Sequence, residues 1–223
     1  MKLFVKSEAA EISEDMRTNC RIKGNSLAMR GLVYGTGIND ADYVTYMNDN
    51  GVETRCPAYT AWRSMLHRAY SKAYHNKKPT YKDVTVCNEW LIFSNFRKWF
   101  IENYRDGYEL DKDLLVIGNR VYSPENCIYV TPRINGFILN NSSRRGKHKI
   151  GVHWSKTTNK FTAQCNNVVT KKKEQLGQYT TEDAAHLAWL KRKLEIALEL
   201  KPEMDAIDLR IYPNVVEIIK NMK

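Results

Sequence analysis

The stretch ELDKDLLVIGNRVYSPENCIYVTPRIN, residues 109–135, contains a strand, a loop, a second strand and the start of a helix. Short apolar runs alternate with the turn signals GN and SPEN, which predicts two short strands joined by a loop. Thr131 followed by Pro132 predicts a helix start, because threonine caps a first turn and proline is tolerated at the first helical position. A unit this small buries little surface alone, so we expect it to pack on neighbouring elements.

Two aromatic-rich segments precede this unit. Apolar residues recur at helical spacing over residues 59–70, which predicts an amphipathic helix. Core packing is the favoured role of the apolar face of this helix. Arg63, His67 and Arg68 could project towards phosphate from its opposite face. The run VTVCNEWLIFSNFRKWFIENY predicts a short strand and then a helix capped by Asn88. Its aromatic stripe favours core packing over base stacking.

A different pattern follows the basic linker NNSSRRGKHK. The runs KIGVHW, KFTAQCNN and KEQLGQY predict three short strands. Thr181 is the expected N-cap of a helix that backs this sheet, and Pro202 is its expected end. The tail VVEIIKNMK predicts a short closing helix. The expected fold class is α+β: an aromatic-rich helical segment packed on the strand and helix unit, followed by a three-stranded antiparallel sheet with one helix.

Positive charge is concentrated in this second region. The chain carries 35 Lys and Arg against 25 Asp and Glu, a net charge of +10. Residues 141–201 hold thirteen of the basic and five of the acidic side chains, whereas residues 1–50 hold six and seven. An acidic partner such as nucleic acid is therefore plausible for the second region.

Composition also excludes several classes. No window approaches a membrane span and the N-terminus lacks the apolar core of a signal peptide, so we expect a soluble protein of the cytoplasm. The five cysteines are odd in number and contain no CxxC pair, which argues against a disulfide framework or a zinc ribbon. We interpret them as small buried apolar side chains.

Four stretches resemble a known family: YTAWRSMLHRAY, VTVCNEWLIFSNFRKWF, LDKD with GNRVYSPENCIYVTPRIN, and KIGVHW with KFTAQC and LGQYTTEDAAHLAW. In this order they resemble the HNH endonucleases of bacteriophages that carry an APETALA-type DNA-binding module. The resemblance spans roughly residues 57–200. It implies a ββα-metal domain with its preceding helices over residues 57–140 and the DNA-binding module over residues 141–201. Residues 1–56 stay of uncertain role, and residues 202–223 form a tail.

The resemblance also implies roles for particular residues. Asp111 and Asn135 would hold Mg²⁺ or another divalent metal against the scissile phosphate. Asn126 would match the middle residue of the motif, which orders the loop. The histidine that activates water should follow the first acid, but that position is Lys112. A free lysine side chain is protonated at neutral pH, so Lys112 is expected to bind phosphate or the flanking acids rather than to act as a base.

Three substitutes for the missing base remain open. Asp113 could orient water, His148 or His153 could reach the site from the second module, or a metal-bound hydroxide could suffice. The alternative for Asp111 is a salt bridge. For Asn126 and Asn135 it is turn and cap hydrogen bonding.

The second module supplies the side chains that a groove reader needs, namely cations for phosphates and polar groups for base edges. Strand alternation predicts that Lys149, Gly151 and His153 lie on an open face beside Lys160, Thr162 and Gln164. A solvated polar surface is the alternative. The full set of candidate DNA-binding residues is Arg144, Arg145, Lys147, Lys149, His153, Trp154, Lys156, Lys160 and Gln164.

Two functions from different classes follow. The first is a metal-dependent endonuclease of the homing type that nicks or cuts double-stranded DNA in the host cytoplasm. The second is a catalytically degenerate scaffold that binds DNA as a regulator or acts against a host protein. Lys112 favours the second function, and the remaining Asp111, Asn126 and Asn135 framework favours the first.

Overall fold

In a computed structural model, the structure describes residues 7–22, 27–139 and 146–222. The chain divides into two compact units, Met1–Tyr129 and Val130–Lys223. Both contain helices and small sheets, so the predicted α+β class is confirmed.

The first unit combines four helices with short strands. Its elements are α1 (Glu8–Asn19), β1 (Tyr46–Asp49), β2 (Val52–Arg55), α2 (Pro57–Tyr70), α3 (Lys72–Lys77), β3 (Thr85–Val86), α4 (Phe93–Asn103), β4 (Glu109–Asp111), β5 (Val121–Tyr122) and β6 (Ile128–Val130), which ends at the unit boundary. Strands β1 and β2 form an antiparallel hairpin. Asn50 and Gly51 form its turn, both with positive φ, as this tight hairpin requires.

The core of the first unit is aromatic. Trp62 of α2 and Phe93, Phe96 and Phe100 of α4 are fully or almost fully buried. The Trp62 indole N–H donates to the carbonyl of Trp90 at 2.7 Å, which satisfies its polar atom inside the core. The predicted core role of both aromatic segments is confirmed. Apolar burial on this scale is the main favourable contribution to folding of the unit.

Two predictions for this unit are corrected. Asn88 does not cap α4, because a 3₁₀ turn over Glu89–Leu91 comes first and the helix begins at Phe93. The carboxylate of the distant Asp40 instead accepts from the amide of Ser94 at 2.9 Å. Arg68 does not project towards solvent. It turns inward and lies over the ring of Tyr122, 5.6 Å from its centroid, because the neighbouring tyrosines stabilise its charge.

The strands of the 109–135 stretch form, but they pair with different partners. Strand β4 is a neighbour of β6, whereas β5, which lies between them in the chain, pairs in parallel with β3. The loop over residues 112–120 is therefore held from both ends by separate two-stranded sheets. This pairing positions the Asp111 and Lys112 side chains.

The second unit contains a three-stranded sheet and three helices. Its elements are α5 (Pro132–Phe137), β7 (Val152–Ser155), β8 (Lys160–Asn167), β9 (Lys172–Tyr179), α6 (Glu182–Ile207) and α7 (Ile211–Lys220). The sheet is antiparallel in the order β7-β8-β9, as predicted. The Thr131 and Thr181 hydroxyls accept from the amides of Ile134 and Ala184, so both predicted caps are confirmed.

The predicted end of α6 is wrong. The helix continues through Pro202 to Ile207 and is followed by α7. Leu200 and Met204 on either side of the proline are buried, and α6 packs against α7 in this region. Apolar burial therefore outweighs the backbone hydrogen bond that proline removes.

Candidate nucleic-acid interface

The Asp111 carboxylate ends β4 and organises the loop that follows it. Its Oδ1 atom accepts from the amides of Asp113 at 3.0 Å and Leu114 at 2.7 Å, an arrangement typical of an aspartate that stabilises a turn. Burial and the neighbouring Asp113 charge raise the pKa of Asp111 to about 6. One oxygen of the predicted metal ligand is thus committed to the backbone.

The Lys112 ammonium group is enclosed rather than free. Its side chain is 11% exposed, and Nζ donates to Asp113 Oδ2 at 3.0 Å and to the carbonyl of Asn119 at 3.3 Å. It also lies 5.8 Å from the ring centroid of Tyr81. This geometry suits a cation that holds the loop, because an ammonium group that donates to Asp113 and Asn119 has no lone pair with which to accept a proton from water.

Asn119 connects the loop and was not singled out from the sequence. Its side-chain amide donates to the carbonyls of Lys112 at 2.6 Å and Val121 at 2.8 Å. Its Oδ1 accepts from the Asn126 side chain at 3.2 Å. Asn126 therefore acts on the loop through Asn119. The GN turn was the only sequence signal for this residue, and it does not reveal such a network.

A divalent metal is matched only in part by these groups. Carboxylate oxygens are the ligands that Mg²⁺ prefers, but Asp111 serves backbone amides and Asp113 faces an ammonium group. Across residues 7–22, 27–139 and 146–222, no group of three or more His, Cys, Asp and Glu side chains is arranged to hold a metal ion. Asn135 belongs to α5 in the second unit, where its amide N–H donates to the carbonyl of Thr131 at 3.0 Å. Its pairing with Asp111 around a metal stays a prediction.

The three-stranded sheet of the second unit has two chemically different faces. Ala163 and Cys165 of β8 are buried on the face that packs against α6. Glu174 of β9 lies on the same face, where its carboxylate contacts the Arg192 guanidinium of α6 at 2.6 Å. Since side chains alternate along a strand, the residues between these lie on the opposite face.

That opposite face, the open face, consists of polar side chains. Cross-strand pairing aligns His153 with Thr162 and Gln178, and Gln164 with Gln175. Its strand residues are His153, Ser155, Lys160, Thr162, Gln164, Asn166, Lys173, Gln175 and Gln178. None of these carries a carboxylate, because the acid of β9, Glu174, points to α6. The face therefore offers donors, acceptors and positive charge together.

The structure brings three of the predicted DNA-binding residues, His153, Lys160 and Gln164, onto the open face. Lys147 and Lys156 are exposed outside the strands. Trp154 lies on the other side of β7, with its ring edge-on to Phe161. Arg144 and Arg145 lie outside the described residues.

Two predicted placements are corrected. Lys149 lies before β7, and its ammonium contacts Asp183 in the first turn of α6 at 2.5 Å. Gly151 faces α6, because a Cβ atom built on it would lie 2.1 Å from the Trp189 ring. The strand begins only at Val152, so alternation counted from Lys149 assigns the wrong face to both.

The candidate cations differ in how far they are neutralised. His148 and Lys149 face the Glu182 and Asp183 carboxylates at the start of α6. Among the described residues, Lys147, Lys156 and Lys160 form no ion pair with an acid. These three lysines are therefore available to an external anion.

Comparisons of the chain with protein-family models, curated proteins and solved structures find no match. No helix within the described ranges is both long and apolar enough to cross a bilayer.

Proposed function

We propose that this protein binds double-stranded DNA through the open face of the β7-β8-β9 sheet. The observation that carries this proposal is the composition of that face: histidine, threonine and three glutamines, flanked by lysines and without a carboxylate. A surface that only keeps a protein soluble usually mixes both signs of charge. An unopposed positive and hydrogen-bonding face is what a DNA groove attracts.

The side chains suit base edges as well as phosphates. Glutamine can form two hydrogen bonds with adenine in the major groove, and lysine can contact guanine. Gln164 and Gln175 lie opposite each other on adjacent strands, so two such groups are presented side by side. The turn between β7 and β8 carries Lys156 and Lys160, which would then contact the phosphate backbone of the DNA.

For the first unit we propose a scaffold role in which the loop around Lys112 is structural. The support is the set of contacts from Lys112 to Asp113 and Asn119, which engage the ammonium group inside the protein. The protein would then act as a DNA-binding regulator, or its first unit would contact a host protein.

Cleavage of the bound DNA with Mg²⁺ or another divalent metal is the second candidate function. It is favoured by the position of Asp111 at the end of β4 beside a loop that Asn126 helps to order. When bound, such an ion would supply Lewis-acid chemistry at the phosphate. The contacts of this chain's residues account for a folded loop without it.

Fluorescence anisotropy with a labelled duplex tests DNA binding. We expect affinity to fall steeply as salt rises, and Lys156→Ala with Lys160→Ala to lower affinity and to reduce the salt slope by about 2. Lys191→Ala with Lys220→Ala, exposed on α6 and α7, removes equal charge away from the open face and is the control. Equal losses in both double variants would contradict the placement. The pair Arg144→Ala with Arg145→Ala tests the linker predicted from the sequence.

Supercoiled plasmid with magnesium or manganese separates the two candidates. The scaffold proposal expects no nicking by the wild-type protein at concentrations that saturate binding. Nicking that is lost in Asp111→Asn, a variant that keeps the turn acceptor, would establish the endonuclease instead. Nicking that appears only in Lys112→His would show that the base alone is missing from the site.

A further inference from the structure

A cleft of about 440 Å³ in the second unit contains a half-buried lysine amine that neither candidate function uses. The cleft lies at the start of β7 and is lined by residues of α5, β7, β8, β9 and α6, together with the segment before β7. Its volume falls in the range of small-molecule sites. Among its lining side chains are Phe137, Lys149, Cys165, Lys173, Trp189 and Lys193.

The Lys193 amine has unusual surroundings for a lysine. Its Nζ atom lies 3.7 Å from the centroid of the Phe137 ring. Within the described ranges, the Cys165 thiol is the titratable group that acts on its charge. Within the part of the chain that the structure describes, no carboxylate pairs with Lys193, whereas the adjacent Arg192 contacts three glutamates. A half-buried ammonium group without an acid is costly, and a desolvated lysine in a cleft is a candidate functional group.

Burial favours the neutral amine. It lowers the pKa of Lys193 to about 8, so about one molecule in ten carries the nucleophilic form at pH 7, against about one in a few thousand for a free lysine. The Cys165 thiol does not compete, since burial raises its pKa and keeps it protonated. Lysines desolvated in this way are the ones that proteins use to attack carbonyl groups.

A further lysine selects for an anionic ligand. Lys173 lines the same cleft and has no ion-pair partner among the described residues, whereas Lys149 is already paired with Asp183. Among the residues that the structure describes, no acidic side chain lines the cleft. We propose that Lys193 forms an imine with a phosphate-bearing aldehyde that enters this cleft.

The chemistry needs no further reagent. The neutral Nζ attacks the aldehyde carbon, the carbonyl electron pair moves to oxygen, and the nitrogen gives up a proton as the oxygen gains one. The resulting hydroxyl then leaves with a proton as water while the second N–H proton is lost, which forms the C=N bond. The aldehyde can come from two sources: a small phosphorylated aldehyde, or a deoxyribose of DNA that has lost its base. The second source rests on the proposed DNA binding.

The first arm of the test uses pyridoxal 5′-phosphate at limiting concentration and pH 7, followed by borohydride reduction and peptide mass mapping. We expect one adduct, on Lys193, and its loss in Lys193→Met and Lys193→Arg. Lys191→Met, on the same helix and exposed, should keep the adduct. Pyridoxal without the phosphate should react at least several-fold more slowly. An adduct spread evenly over the lysines, or unchanged in Lys193→Arg, would overturn the proposal.

The second arm uses a duplex with one abasic site under the same reduction. A cross-link that maps to Lys193 supports the proposal with DNA as the source. If the duplex binds without a cross-link while the pyridoxal phosphate adduct forms, the proposal stands with the free aldehyde as the source. If no duplex binds, the proposed DNA binding fails, and the first arm decides the imine proposal by itself.

Discussion

Gly151 packs against Trp189 so closely that a Cβ atom on residue 151 would lie 2.1 Å from the indole ring. The backbone at Gly151 also has a φ of +79°, which side chains other than glycine rarely adopt. The indole of α6 thus fixes where β7 begins. Both the close approach and the conformation require glycine at this position.

We therefore expect Gly151→Ala to destabilise the second unit by roughly 2 kcal/mol or more, through backbone strain and displacement of Trp189. Chemical denaturation followed by tryptophan fluorescence measures the change. Gly146→Ala is the control, because a Cβ atom at residue 146 meets no atom of the described residues within 4 Å. Equal stability of the two variants would contradict the close packing of Gly151 against Trp189 of α6.

Features that depend on residues adjacent in the sequence could be predicted. Features that depend on contacts between distant segments could not. Thr131 and Thr181 cap the helices that directly follow them, so the residue and its effect are adjacent in sequence. The cap of α4 comes instead from Asp40, which lies 54 residues before Ser94. No periodicity in the 88–100 region carries that information.

The same distinction applies to the candidate sites. Alternation predicted the faces of His153, Lys160 and Gln164 because these residues lie inside strands. It misplaced Lys149 and Gly151 because the strand begins later than the apolar pattern. At the Asp111 loop, the residue types could be predicted, while the parallel pairing of β5 with β3 and the Asn119 network depend on contacts between separate segments.

Lys193 gives a pH-dependent stability with a defined sign. Its pKa is about 8 in the folded chain and 10.5 for the ordinary side chain. Between these values the unfolded chain holds the proton and the folded chain does not, so the contribution of Lys193 to stability rises from pH 8 to pH 10.5 and is lost again as pH falls. We expect Lys193→Met to be more stable than wild type by roughly 1–3 kcal/mol at pH 7.

The difference in the free energy of unfolding between Lys193→Met and the wild type should shrink as pH approaches 10.5. Denaturation curves of both proteins at pH 7, 9 and 10 measure it. Other titrating groups are common to the two proteins and cancel. Lys191→Met should track the wild type at each pH because Lys191 is exposed. A gap that does not change with pH would show that the amine is not desolvated.

Two properties of the Asp111 side chain can be tested separately: its hydrogen-bond acceptor and its negative charge. Asp111→Asn keeps an oxygen for the amides of Asp113 and Leu114 and removes a charge that burial disfavours, so we expect stability within about 1 kcal/mol of wild type. Asp111→Ala removes the acceptor and should cost roughly 1–3 kcal/mol. Thermal unfolding of the three proteins measures the order. If both variants lose the same stability, the charge rather than the turn is what matters.

Pro202 should be a removable defect in α6. It is exposed and lacks the N–H group that would donate to the carbonyl of Leu198, while buried Leu200 and Met204 hold the helix on either side. We expect Pro202→Ala to raise the free energy of unfolding by roughly 1–3 kcal/mol. Lys191→Ala, at an exposed position of the same helix, should change it by less than about 0.5 kcal/mol. A loss of stability in Pro202→Ala would mean that the proline shapes the packing of α6 on α7.

Gln164 tests whether the open face reads bases or only binds phosphate. It lies near the middle of β8 opposite Gln175 and carries no charge, so its loss cannot change the number of counterions released. Once a preferred sequence has been selected, Gln164→Ala should weaken binding to it by roughly 1–3 kcal/mol, relax the preference at one position and leave the salt slope unchanged. Lys160→Ala should do the reverse, with a uniform loss across sequences and a slope smaller by about 1. Anisotropy titrations of both variants against the selected and a scrambled duplex measure these effects. If Gln164→Ala binds both duplexes as the wild type does, base recognition lies on another surface. A glutamine that contacts a base from the centre of the open face must change affinity when it is removed.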